Sequence, residues 1–205
     1  MAKIKLTKSE LKKQRDNLAQ FSHYLPTLQL KKQQLQIKIF EIRKALKEKQ
    51  TDLDSAKASL DQWVGLLADP GVDIEKWTAP ANVSISTHNI AGVDIPIFEK
   101  AEFEKKDYDL YLMPFWVDVG IETIQKFSSS LVETEIIKKQ IAILQKELMT
   151  TTQRVNLFEK VKIPECIENI RKIRIYLGDQ QASAVGVSKV AKKKIEQAVL
   201  AEMSR

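Results

Sequence analysis

The sequence predicts a mainly α fold: a long antiparallel two-helix coiled coil formed by the N- and C-terminal segments, with a small central head containing a short β-hairpin and short helices. Three observations predict it. Apolar residues recur at alternating spacings of three and four near both ends, the pattern of a heptad seam. Glycine and proline number only six each in 205 residues, so few positions interrupt a helix. Between the periodic stretches lies a segment of turn dipeptides and β-branched residues, which reads as short strands.

The N-terminal helix is expected within residues 1–66. Leu25, Lys32, Ile39, Leu46, Leu53 and Leu60 lie seven apart, interleaved with Leu28, Leu35, Ile42, Lys49, Ala56 and Trp63. Leu11 and Leu18 carry the phase upstream, Thr7 or Ser9 is available as a cap, and Glu10 suits the first turn. Pro26 predicts a kink or a short break, because proline removes one helix hydrogen bond and crowds the preceding turn.

Residues 67–118 form the predicted head. LADPG, TAPAN and HNIAG are turn-rich, while VSIST, GVDIPIF and YLMPFWV read as strands. Pro96 and Pro114 confine those strands to edges or a hairpin.

The C-terminal helix is expected within 119–205, where Ile137, Ile141, Leu144, Leu148, Thr151, Val155 and Phe158 repeat the seam and Cys166, Ile170, Ile173 and Leu177 resume it after Pro164. The stretch around Pro164 shifts the register by a few residues, which predicts a bend. Counted from the ends of the two helices, Pro26 and Pro164 are expected at nearly the same height. The final stretch, with Gly178, Gly186 and a KKK run, reads as a further helix after a looser link.

Charge and chemistry narrow the function. The net charge is +6, but residues 1–50 hold 13 Lys and Arg against 4 Asp and Glu, residues 51–110 hold 5 against 12, and residues 160–205 hold 10 against 5. Both ends are basic and the middle is acidic. No apolar run reaches the roughly 18 residues of a membrane span, and MAKIKLTKSE lacks the apolar core of a signal peptide, so a soluble intracellular protein is expected. Cys166, with Ile163, Ile167 and Ile170 around it, reads as a buried structural thiol. His23 and His88 have no metal-ligand partners at the required spacing. No phosphate-cradling glycine motif is present, and the pairs Glu102/Glu104 and Asp107/Asp109 imply no enclosed acid–base site. No catalytic, cofactor or metal site is expected. A coiled-coil scaffold or tethering protein remains an alternative, as does a basic helical nucleic-acid binder. At about 1.5 Å per residue, 60 helical residues span about 90 Å, and periodicity cannot choose between spacer, scaffold and shaft.

Three segments carry a family resemblance. KLTKSELKKQRDNLAQFSHYLPTLQLKKQQL at the start, GVDIPIFE at 92–99 and RVNLFEKVKIPECIENIRKIRIYLGDQ at 154–180 resemble the D subunit of V-type (A/V-type) ATP synthases. The last is the most specific, and YLPTL and AKKKI are closer to the bacterial branch. Lys31, Lys32, Gly92, Pro96, Arg154, Asn156, Ile163, Pro164, Arg171 and Arg174 fall at family-signature positions, although Lys32 stands where arginine is usual and Gln33 where an acidic residue is common. The resemblance implies a non-catalytic central rotor shaft that transmits torque between an ATP-hydrolysing or ATP-synthesising hexamer and the ion-translocating membrane ring. The implied partners are the A and B subunits of the hexamer, the small F subunit, and the C (or d) subunit on the ring, with no nucleic acid, no membrane insertion and no obligate homo-oligomer. The implied place is the cytoplasm, peripheral to the cell membrane. With both basic segments expected at one end, Lys12, Lys13, Arg15, Lys192, Lys193 and Lys194 are the residues expected to meet acidic loops in the hexamer bore. Leu28, Leu35, Ile39, Ile42, Leu46, Leu144, Leu148 and Val155 are the expected seam.

Overall fold

A computed structural model describes residues 4–61, 65, 75–104 and 114–203. The element order is α1 (Lys8–Asp61), α2 (Glu75–Thr78), β1 (Pro80–Ile90), β2 (Val93–Phe103), α3 (Trp116–Leu157), a five-residue π-helical turn (Phe158–Lys162) and α4 (Ile163–Met203). The chain divides into two compact units, one made of Met1–Gln29 with Gln153–Arg205 and the other of Leu30–Thr152.

In the first unit, α1 starts at a capped end. The Glu10 N–H donates to Thr7 Oγ1 at 3.3 Å, satisfying one of the first-turn donors that a helix leaves unpaired. α1 then runs through Pro26 without a break. Pro26 is exposed and immediately follows the inward-facing Leu25, so the carbonyl it deprives of a donor, that of Ser22, lies on the side that water can reach. The inward-facing positions Leu18, Phe21, Leu25 and Leu28 keep their spacing of three and four across the proline.

The opposing helix does change register, by one residue and not by several. Up to Phe158 the half-buried and buried positions follow Ile137, Ile141, Leu144, Leu148, Thr151, Val155 and Phe158; after it they follow Ile163, Cys166, Ile170, Ile173 and Leu177. The five-residue step falls on the π turn, where the Ile163 N–H donates to the Phe158 carbonyl. Pro164 explains the place. In a regular α-helix its ring would press on the Lys160 carbonyl, and the wider turn takes up both the extra residue and that conflict.

The expectation that the two prolines share a height is overturned. The Phe21 and Phe158 rings lie 5.1 Å apart and Asn169 Nδ2 reaches Gln14 Oε1 at 3.5 Å, so the helices of this unit run antiparallel. Pro26 lies five residues to one side of the ring contact and Pro164 six to the other, an offset of roughly 16 Å at 1.5 Å per residue. The looser link is also absent: α4 passes through Gly178 and Gly186 to Met203 as one helix.

In the second unit α1 and α3 again run antiparallel, fastened by Lys31 Nζ to Glu147 Oε1 and by Lys49 Nζ to Glu133 Oε2, each at 2.9 Å. Leu35, Ile39, Ile42 and Leu46 on α1 and Leu144 and Leu148 on α3 are buried or half-buried as the heptads predict; Trp63 lies outside the described residues. β1 and β2 form a two-stranded antiparallel sheet closed by Ala91 and Gly92, with φ of 51° and 76°, the two left-handed residues of a type I′ turn. Asn89 steadies the turn, its Oδ1 accepting the Gly92 N–H at 3.0 Å. The hairpin is seated at that end: Ile95, 2% exposed, joins Leu35, Ile39 and Leu144 in one core, with Ile90, Ala91 and Val93 packed against it. Of the expected strand YLMPFWV, residues 111–113 lie outside the described residues, and Trp116 and Val117 open α3 instead. Pro114 explains this, because its carbonyl accepts the Val117 N–H at 3.0 Å and starts the helix.

Candidate functional site

The surfaces that chemistry marks out are one on each unit. The first unit carries 17 Lys and Arg against 8 Asp and Glu, and the second 16 against 19. The excess of cations thus lies on the first unit, and the second is slightly acidic.

On the first unit Arg15 of α1 shares an open groove with Arg171 and Arg174 of α4, floored by Leu18, Ala19, Ile167, Ile170 and Ile175. Arg171 and Arg174 are three apart and so face the same way on the helix. Beside them Ile167 and Ile175 are 53% and 55% exposed. Guanidinium groups flanking bare aliphatic side chains suit a surface that presents carboxylates over an apolar patch.

The lysines expected to join Arg15 there are divided by the structure. Lys12 and Lys13 are exposed on α1. Lys192, Lys193 and Lys194 are exposed on α4, but the start of α1, at Thr7 and Lys8, borders Tyr176–Ala184. Lys192 lies eight residues beyond Ala184, about 12 Å along a helix, so these lysines do not meet Lys12, Lys13 and Arg15. Three consecutive lysines also point about 100° apart in turn, and Lys192 approaches Glu196 at 3.8 Å. Sequence reasoning placed Arg171 and Arg174 among structural signature positions; their spacing of three beside a run of isoleucines was the signal that they share a face.

The other signature positions have varied environments. Lys31 holds the cross-helix pair with Glu147, and Lys32 sits half-buried at a seam position. Arg154 and Asn156 are exposed, and Ile163 and Pro164 follow the π turn. On the second unit Gly92 supplies a left-handed turn residue, and the Pro96 carbonyl accepts a hydrogen bond from Gln140 Nε2 at 2.5 Å.

Chemistry on small molecules has little to work with. His23 and His88 are exposed. Cys166 is buried, and that burial pushes its thiol above the ordinary range, away from the thiolate a nucleophile needs. Among the described residues no three His, Cys, Asp or Glu side chains converge as a metal site, and no helix is long and apolar enough to cross a membrane.

Residues 10–193 match the family model for the D subunit of ATP synthase. The chain is 48% identical over 195 residues to the V-type ATP synthase D subunit of Borreliella burgdorferi, an alignment covering 95% of this chain and 96% of that one. It is 34% identical over 195 residues to the V-type ATP synthase D subunit of Chlamydia pneumoniae, covering 94% and 93%, and 31% identical over 198 residues to that of Chlamydia muridarum, covering 96% and 98%.

Proposed function

The chain belongs to the family of ATP synthase D subunits, and from that premise we propose how its surfaces serve the central stalk. It is a non-catalytic central-stalk component of a V-type ATPase, a rotor part that carries torque and makes no bonds. The paired helices act as a coiled coil. Arg15, Arg171 and Arg174, with Lys12 and Lys13 beside them, are the face that meets acidic loops of the A and B subunits in the hexamer, and Lys192, Lys193 and Lys194 form a second, separate contact. The small F subunit and the C (or d) subunit, which links to the membrane ring, engage the acidic second unit. The assembly sits at the cytoplasmic side of the membrane without insertion of this chain.

The arginine-lined groove on the basic unit carries this reading. A rotor surface must touch successive copies of one partner without locking on any of them. Flexible cations over an open apolar groove meet that need, since long-range attraction steers contact while an open groove holds it weakly. The test is co-purification with the hexamer and ATPase assay with and without the chain. Arg171→Glu with Arg174→Glu is expected to weaken hexamer binding at least tenfold at low salt and to lose most stimulation of turnover, with Lys192→Glu having a smaller effect. Equal binding by the double variant and the native chain would overturn the assignment.

A further inference from the structure

The hairpin has two edges, and among the described residues only one is closed. In a two-residue hairpin the pair next to the turn, Ile90 and Val93, exchanges both hydrogen bonds, so the alternate pairs Asn89/Asp94, Thr87/Pro96 and Ile85/Phe98 point their backbone groups outward. On β2 that outward row is interrupted at its centre: Pro96 has no N–H, and its carbonyl is taken by Gln140 of α3. On β1 the outward row belongs to Ile85, Thr87 and Asn89, all exposed, with Ile85 54% exposed.

Apart from Pro80 at its start and the register shifts beside Asn82 and Ile85, β1 carries none of the residues that protect bare edges. Natural edge strands carry lysine, proline or inward charges that discourage pairing. From Ala81 to Ile90, ANVSISTHNI, β1 holds no Lys, Arg, Asp, Glu or Pro, in a chain that is 29% charged. The rest of the hairpin supplies the sign of the partner. Within residues 80–104 Asp94, Glu99, Glu102 and Glu104 face a single cation, Lys100, already paired with Glu102. Two copies of this hairpin would bring like charges together, which disfavours self-pairing.

We propose that the outer edge of β1, at Ile85, Thr87 and Asn89, is a docking site for a β-strand of a partner protein, an extended segment that alternates apolar side chains with Lys or Arg. Such a strand makes main-chain hydrogen bonds to the three outward residues, sets an apolar side chain beside Ile85, and places its cations near Glu99 and Asp94. The site belongs to the second unit, whereas the arginine groove belongs to the first.

The test is residue-resolved amide hydrogen exchange on the full chain, alone and incorporated into a V-type ATPase complex. Exchange at Ile85, Thr87 and Asn89 is expected to slow at least tenfold on assembly, and Thr87→Pro, which removes one outward donor and no hairpin hydrogen bond, is expected to lose that protection at Ile85 and Asn89. Unchanged exchange in a complex that assembles normally overturns the docking site and leaves the central-stalk reading intact. A chain that fails to assemble counts against the stalk reading; the docking site is then decided on the isolated chain with a seven-residue peptide of alternating Lys and Val at millimolar concentration. Slowing at the three amides by that peptide, and not by one with Glu in place of Lys, supports it. No slowing, equal slowing by both peptides, or slowing that rises with protein concentration alone overturns it.

Discussion

The two units use the same helical pairing to different ends. In the second unit the α1–α3 seam is roofed by the hairpin, so Leu144 touches a core drawn from three elements, α1, β2 and α3, and cation–carboxylate pairs fasten the helices on both sides of it. In the first unit two helices pack with nothing else among the described residues, and beyond Leu177 every α4 residue up to Leu200 is exposed. Three-element packing favours a fixed body. Two-helix packing leaves much of each helix free to touch something else, and that is where the cations gather.

The contrast breaks first if core deletions cost the same in both units. Leu144→Ala is expected to destabilise the second unit by about 2–5 kcal/mol, toward the upper end because the roofed site cannot collapse, while Ile173→Ala, equally buried, falls toward the lower end because its flanks can close in. Hydrogen exchange read separately for the two units measures the difference; equal costs would remove the distinction. The π turn gives a sharper test of the first unit alone. Deleting Val161 makes the seam continuous but forces Pro164 into a regular helix, at a cost of about 3 kcal/mol. Pro164→Ala in the same deletion is expected to restore most of that in thermal melts, and a lack of rescue would mean the turn exists for some reason other than the proline. The smallest effect belongs to the hairpin. Ala91 holds a positive φ that Asn adopts more readily, so Ala91→Asn is expected to stabilise the second unit by about 1 kcal/mol, with slower exchange across β1 and β2 and no change in the first unit.

Much of this was legible beforehand because helix amphipathicity is a local signal. The positions Leu28, Leu35, Ile39, Ile42, Leu46, Leu144, Leu148 and Val155 face inward as their spacing requires, and HNIAG with GVDIPIF reads directly as turn and strand. What was hidden is which residue stands opposite which. Spacing within one helix does not say that Phe21 meets Phe158 or that Thr7 borders Gln180, so the expected common height of the two prolines fails and the distance from Lys192 to Lys12 is not legible from the sequence. Likewise nothing local marks Gln140 as the residue that reaches the Pro96 carbonyl. The arginine face was half legible: its residues were named, but their grouping needed the pairing of α1 with α4.

The five-residue step between Phe158 and Ile163 also bears on how this chain is to be lined up with its relatives. A straight helix of the same sequence would turn every later inward position by about 100° per extra residue, so a one-residue gap has one physically sensible place. Set between Phe158 and Ile163, it keeps Cys166, Ile170, Ile173 and Leu177 in their facing columns; set elsewhere, it would match buried side chains of one protein to exposed ones of another. The wide turn is therefore a natural ruler mark, and a relative lacking both the extra residue and the proline would be expected to show an unbroken α-helix there.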